Sequence, residues 1–289
     1  MNDHRPNEPI PSSKVFEPVD FRALAALEER REWRGVSEVA DEFVPFAGGM
    51  VGRGPAGAWF NGARGAGMSG PVSRDEVRGF IEYLEGAGIE PRIDVCPFVD
   101  PSLLEALKAE RFALHNFESV FHRRLEAGER VDSPFPAPRE LRIAAVDPKN
   151  DAEVEDFART ALQGFMPDDT DPPESFLRSS MRVARHPRTV AIRAMIGEEC
   201  VGAGAMEVDG ELAALFGVSV RKAHRNKGVQ LAMLAWRLNE AARRGARIAT
   251  IGSRPGVATE RNAQRMGFAA AYTKVTLVRP GPGLAPNVD

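Results

Sequence analysis

Residues 218–230 read VSVRKAHRNKGVQ: the end of an apolar run, a basic turn containing glycine, and the first residues of an amphipathic helix. Beyond the turn Leu231, Leu234, Leu238, Ala241 and Ala242 recur at helical spacing, while Arg237, Glu240, Arg243 and Arg244 fall on the other face. A helix therefore starts near Gly228. Its first backbone N–H groups have no intrahelical partner and its dipole is positive at that end, so a phosphate lying there gains hydrogen bonds and charge attraction together. Arg225 and Lys227 add two cations, and the turn holds no Asp or Glu to serve the helix itself. The chemistry on offer is the binding of an outside anion.

The turn lacks the Gly-Lys-Ser/Thr ending of a Walker loop and the three-glycine dinucleotide fingerprint. Val218-x-Val220 followed by Arg225-x-x-Gly228-x-Gln230 resembles the acyl-CoA loop of the GCN5-related N-acetyltransferases, with Gln230 where that family usually has Gly or Ala. The resemblance implies acetyl-CoA as co-substrate and no metal. It puts the strand backbone at Val218 and Val220 along the pantetheine arm, and Arg225, Asn226, Lys227, Gly228, Val229 and Gln230 around the pyrophosphate. Asn262 is a candidate for binding pantetheine or substrate, or a plain exposed helix residue. It also implies direct attack by a primary amine on the thioester, in a gap where two central strands splay. Gly217, inside the apolar run before the turn, fits a bulge at that gap or a packing glycine.

Proton-transfer groups are scarcer. Many members of that family carry, four residues before the Gly-Phe pair, a Tyr that protonates the thiolate; here the pair is Gly267-Phe268 and the position is Ala263. Tyr272 is the remaining candidate acid, with a buried core role as the alternative. Glu207 and Glu211, either side of the Asp209-Gly210 hairpin signal, are the candidate bases, and solvated edge positions or a base supplied by water are the alternatives.

The elements that must position these groups follow from periodicity. After a proline-rich segment, DSPFPAPR, residues 141–146 read as a strand, 152–165 and 173–185 as helices, and 189–196, 199–208 and 211–220 as antiparallel strands. The helix 228–244, a strand 247–252, a helix 257–266 and a strand 269–278 complete the order of that acetyltransferase family. Upstream, residues 73–86, 92–98, 101–110 and 113–125 repeat the helix, strand, helix, strand tail, and IDVCPFVDPSLLEALKAERF tracks IATIGSRPGVATERNAQRMGF, which suggests a diverged duplication. The expected fold is α/β (α+β mixed sheet), with two tandem acyl-CoA N-acyltransferase-like lobes. Its expected divisions are a flexible N-terminus 1–18, a degenerate lobe 19–131, a linker 132–139, an acetyl-CoA-binding domain 140–280 and a flexible C-terminus 281–289. The first lobe is expected to bind no cofactor, because Ser73 and Glu76 form a capping box that uses its helix amides and Asp75 and Glu76 repel pyrophosphate.

Whole-chain composition narrows the partners. The chain has 289 residues, 43% of them hydrophobic, with a net charge of −3, which gives no global pull toward nucleic acid or an anionic membrane. Cys96 and Cys200 stand apart without metal-ligand spacing, and no apolar run approaches a membrane span. The expectation is a cytoplasmic N-acetyltransferase whose acceptor is an amine-bearing small molecule or protein, with its oligomeric state open. The rim of the acceptor site is expected within residues 163–185, where Phe165 to Asp169 are acidic and partly apolar. A non-catalytic acyl-CoA-binding sensor or interaction module is the alternative.

Overall fold

The computed structural model describes residues 19–287; the segment 1–18 and the last two residues of 281–289 lie outside the described residues. The first half runs α1 (Phe21–Val39), β1 (Glu42–Phe46), β2 (Gly49–Arg53), β3 (Gly62–Arg64), α2 (Arg74–Glu85), β4 (Arg92–Val95), α3 (Pro101–Ala109) and β5 (Ala113–Arg124). The second runs β6 (Leu141–Ala145), α4 (Asp151–Gln163), α5 (Glu174–Arg185), β7 (Thr189–Ile196), β8 (Glu199–Asp209), β9 (Leu212–Val220), α6 (Val229–Arg243), β10 (Ile248–Ser253), α7 (Ala258–Arg265) and β11 (Ala269–Val278). Local chemistry sets these ends. Ser73 and Glu76 form the capping box of α2, Asp100 caps α3 ahead of Pro101, and Asn150 caps α4 through Glu153 N–H.

All strands join one mixed sheet in the order β1-β2-β3-β4-β11-β5-β10-β9-β8-β7-β6. The closing strands of the two halves are exchanged: β5 pairs antiparallel with β10, and β11 pairs antiparallel with β4. Between them β5 and β11 pair along their length, with Glu118 opposite Lys274. Packing follows the exchange, since Phe121 and Leu125 enter the core under α6 while Val275 and Leu277 pack on the core of the first half. Burying side chains of this kind contributes about 1.5–3 kcal/mol each, so the two halves hold one another.

Three strands and the longest helix of the first half, α1 and β1 to β3, were not anticipated from periodicity. The buried face of α1 includes Glu28 and Glu29, so an apolar stripe is interrupted by charge. Arg237, expected on the solvent face of α6, is 1% exposed.

Candidate functional site

The turn before α6 is built as an anion cradle. Gly228 caps the helix with φ 76° and no side chain caps the first amides. Asn226 is also left-handed, with φ 61°, which curls the backbone into a concave turn. Any side chain at Gly228 would collide with the Pro136 carbonyl, because residues 135–138 form one wall of the groove. The groove is about 1050 Å³, and Val218, Val220, Arg225, Asn226, Lys227, Gly228, Val229, Gln230 and Asn262 all line it.

Individual side chains differ from one another in what they leave free. Lys227 is exposed and makes no ion pair among the described residues. Arg225 instead fastens the turn: its guanidinium donates to Val220 O at 2.9 Å, Gly164 O at 3.3 Å and Asp169 Oδ1 at 3.4 Å. Asp168 and Asp169, expected to face an amine, bind Lys222 Nζ at 2.5 Å and Lys222 N–H at 2.6 Å. The acidic rim therefore closes on the basic turn. Gln230 joins α6 to α7 by accepting from Asn262 Nδ2 at 2.9 Å and donating to Thr259 Oγ1 at 3.3 Å.

From this groove a gap opens between β9 and β10. Their parallel pairing ends at Leu215 and Ile251. Two residues of β9, Gly217 and Val218, then lie opposite the single Gly204 of β8, which is a bulge, and Gly217 takes φ 59°. Arg237 braces it from below, donating to Ala205 O at 2.9 Å and Phe216 O at 3.4 Å. With no carboxylate partner among the described residues, burial pulls its pKa down to about 10.

Across the gap lies a chamber of about 270 Å³, walled by α1, β5, β8, β9, β10 and β11. Most of its charges are tied together. Glu207, 4% exposed, receives Arg31 Nη1 at 3.0 Å and Arg188 Nε at 2.7 Å. Glu28 binds Arg31 Nη2 at 2.7 Å and accepts from Thr250 Oγ1 at 2.8 Å; Glu32 binds Lys274 Nζ at 2.6 Å. Glu118 is the exception, with Lys274 Nζ no closer than 4.0 Å. Burial pushes its carboxyl above the usual range, opposed by Lys274 and reinforced by Glu32 and Asp94. Its side chain is 39% exposed, opening onto the chamber and the gap.

The candidate acid and bases are thus scattered. Glu207 lines the chamber. Glu211 is exposed at the hairpin and Tyr272 does not border the cleft: its hydroxyl donates to Glu29 Oε1 at 3.1 Å, and burial, then Glu29, drives its pKa up. Sequence reasoning missed Glu28, Arg31, Glu32, Glu118 and Lys274. The spacing of Glu28, Arg31 and Glu32 at one helical turn was the available signal. Burial pushes the Cys96 thiol up to about 12 and raises Cys200 as well, so neither is poised as a thiolate.

Residues 153–270 match the model of the acetyltransferase (GNAT) family. A search of the curated proteins found no match. Among solved structures, a GCN5-related N-acetyltransferase from Kribbella flavida superposes with a TM-score of 0.64 at 18% identity, over 91% of this chain and 98% of that one. A tandem GNAT protein from the clavulanic acid biosynthesis pathway gives 0.58 at 13%, over 92% and 89%. A GCN5-related N-acetyltransferase from Sphaerobacter thermophilus gives 0.56 at 17%, over 78% and 75%. These likenesses establish a shared mixed α/β fold, including a tandem one.

Proposed function

We propose that this chain, whose residues 153–270 match the model of the GNAT acetyltransferase family, moves the acetyl group of acetyl-CoA to a primary amine by direct attack. The observation that supports the cofactor most is the uncapped, left-handed start of α6, with Lys227 free beside it. That donor set fits a pyrophosphate. In this reading the first amides of α6 and Lys227 hold the anion, while Val218 and Val220 present strand backbone along the arm. Bound there, acetyl-CoA supplies an activated thioester. The bulge at Gly217 and Val218 turns backbone off the ladder at the gap, where an N–H donor can stabilise developing negative charge. Buried thiols speak against a cysteine relay, and a charged chamber on the far side of the gap gives a purely binding module no use for it.

The residues 140–280 are proposed as the cofactor-binding part and 19–131 as a part without a cofactor of its own. Ser73 accepts from Glu76 N–H at 3.2 Å while Glu76 accepts from Ser73 N–H at 2.8 Å, so the start of α2 is served from within.

Calorimetry with acetyl-CoA tests both statements. Because Gly228 abuts Pro136, a change there would disturb the wall, and Lys227→Glu is the cleaner variant. It is expected to weaken binding by about tenfold or more, with one site per chain in the wild type. Unchanged affinity, or two equivalent sites, would refute the assignment.

A further inference from the structure

Three spaces meet at Trp59, Phe216 and Gly217. The first is the charged chamber of about 270 Å³; the second is the gap between β9 and β10; the third is an apolar pocket of about 310 Å³. The third pocket is walled by aromatic groups, with Phe157, Phe165 and Phe176 facing Trp59 and Phe216. Trp59 and Phe165 are 44% and 56% exposed, a large apolar area to leave open unless something covers it.

Among the described residues one carboxylate borders both the chamber and the gap: Glu118. It lies directly over β10, since a methyl at Gly252 would collide with its Oε1. Glu28, Glu32 and Glu207 each have a cation within 3.0 Å, whereas among the described residues Glu118 has none closer than Lys274 Nζ at 4.0 Å. The apolar pocket reached past Trp59 and Phe216 stands open, and a molecule with one ammonium and an apolar body matches that pair of features. Charged neighbours surround it: Glu28, Arg31 and Glu32 from α1, and Lys274 from β11. Arg64 and Asp94 approach from β3 and β4, and Arg92 and Arg254 stand along the gap.

We propose that Glu118, delivered to the second half by the exchanged strand β5, takes the proton of the acceptor ammonium, and that the acceptor is a small primary amine with an alkyl or aryl body seated against Trp59 and Phe216. This rests on the acyl-transfer reading above. The ammonium gives one proton to Glu118; the freed nitrogen pair forms the bond to the acyl carbon as the carbon–sulfur bond breaks. The second nitrogen proton leaves with the thiol sulfur, and Glu118 returns its own to water. Burial above the usual carboxylate range suits the group to that exchange.

Calorimetry without any acyl donor reads the acceptor site alone. Wild type should bind 2-phenylethylamine at least about tenfold more tightly than 1,4-diaminobutane or 4-aminobutanoate, and Glu118→Gln should weaken it about tenfold. No binding of 2-phenylethylamine, or equal or tighter binding of either competitor, overturns the acceptor class. With acetyl-CoA present, Glu118→Gln should lower kcat/KM for the amine by about 100-fold at neutral pH and move the acid limb of its pH profile up to the amine's own titration, while acetyl-CoA affinity stays the same. Glu118→Asp, which keeps the carboxylate, should leave that limb in the carboxylate's range, and a thermal transition for both variants checks folding. Near wild-type kcat/KM in Glu118→Gln, or an acid limb at the wild-type position, overturns the role of Glu118. Failure of wild type to bind acetyl-CoA would instead sink the acyl-transfer reading itself.

Discussion

Glu29 and Glu32 stand one turn apart on α1 and both approach Lys274, at 3.5 and 2.6 Å, yet they titrate in opposite directions. Burial dominates at Glu29, which is 1% exposed, and lifts its pKa to about 7 despite Lys274. At Glu32 burial also pushes upward, but Lys274, Arg64 and Arg31 together outweigh it and bring the value to about 2. For Glu29 the folded state keeps a proton that the unfolded chain releases above about pH 4.5, so stability falls as pH rises through the window from there to about 7. Glu32 contributes the reverse: stability present above about 4.5 and lost as pH falls toward 2. Thermal unfolding should therefore find Glu29→Gln more stable than wild type at pH 8 by about 2–3 kcal/mol and little changed at pH 4, and Glu32→Gln less stable by about as much at pH 7. Matching shifts of one sign for both variants would contradict this account. The burial of such residues was not legible in the sequence, although the one-turn spacing of Glu28, Arg31 and Glu32 was. A pattern counts Glu28, Glu29 and Arg237 as polar and assigns them to solvent, whereas their burial goes with partners far along the chain, Thr250 for Glu28 at 222 residues and Tyr272 for Glu29 at 243, or with backbone carbonyls for Arg237.

Among the elements, β9 shows what could be foreseen and what could not. Its span, the bulging glycine and the helix start that follows were readable, because an apolar run, a glycine inside it and an uncapped basic turn are local features. The use made of the gap was not, since its far wall comes from α1 and β5. No contact blocks a methyl at Gly217, but its φ of 59° opposes any L side chain. Gly217→Ala should then cost about 1–2 kcal/mol through backbone strain alone, lowering the melting temperature by a few degrees. If the bulge serves the reaction, kcat should fall more steeply than acetyl-CoA affinity; equal losses in both would point to general loosening of the strand. Gln230 bridges α6 and α7 through its side-chain amide, which fills the junction by bonding both Asn262 and Thr259.

At the scale of the molecule, the repeated order of helix and strand was legible in the sequence, but the exchange was not. β5 and β11 have similar lengths and follow equivalent helices, so nothing in their periodicity tells which β-edge each one joins. The sheet does: Glu118 and Lys274, each six residues beyond its Phe (118 − 112 and 274 − 268), face one another where the halves meet. Residues 19–131 and 132–287 expressed separately should each lack a cooperative thermal transition and regain one when mixed, and a monomeric fragment that melts cooperatively alone would disprove the mutual dependence. Vectorial synthesis leaves both exchanged partners waiting. β5 has no strand neighbour until β10 emerges, 132 residues later (252 − 120), and β4 presents an unpaired edge until β11 emerges, 180 residues later (275 − 95 at their paired valines). For that interval the nascent chain carries an open, buried-type strand edge, and a ribosome that stalls before residue 269 releases a product disposed to recruit strands from other chains.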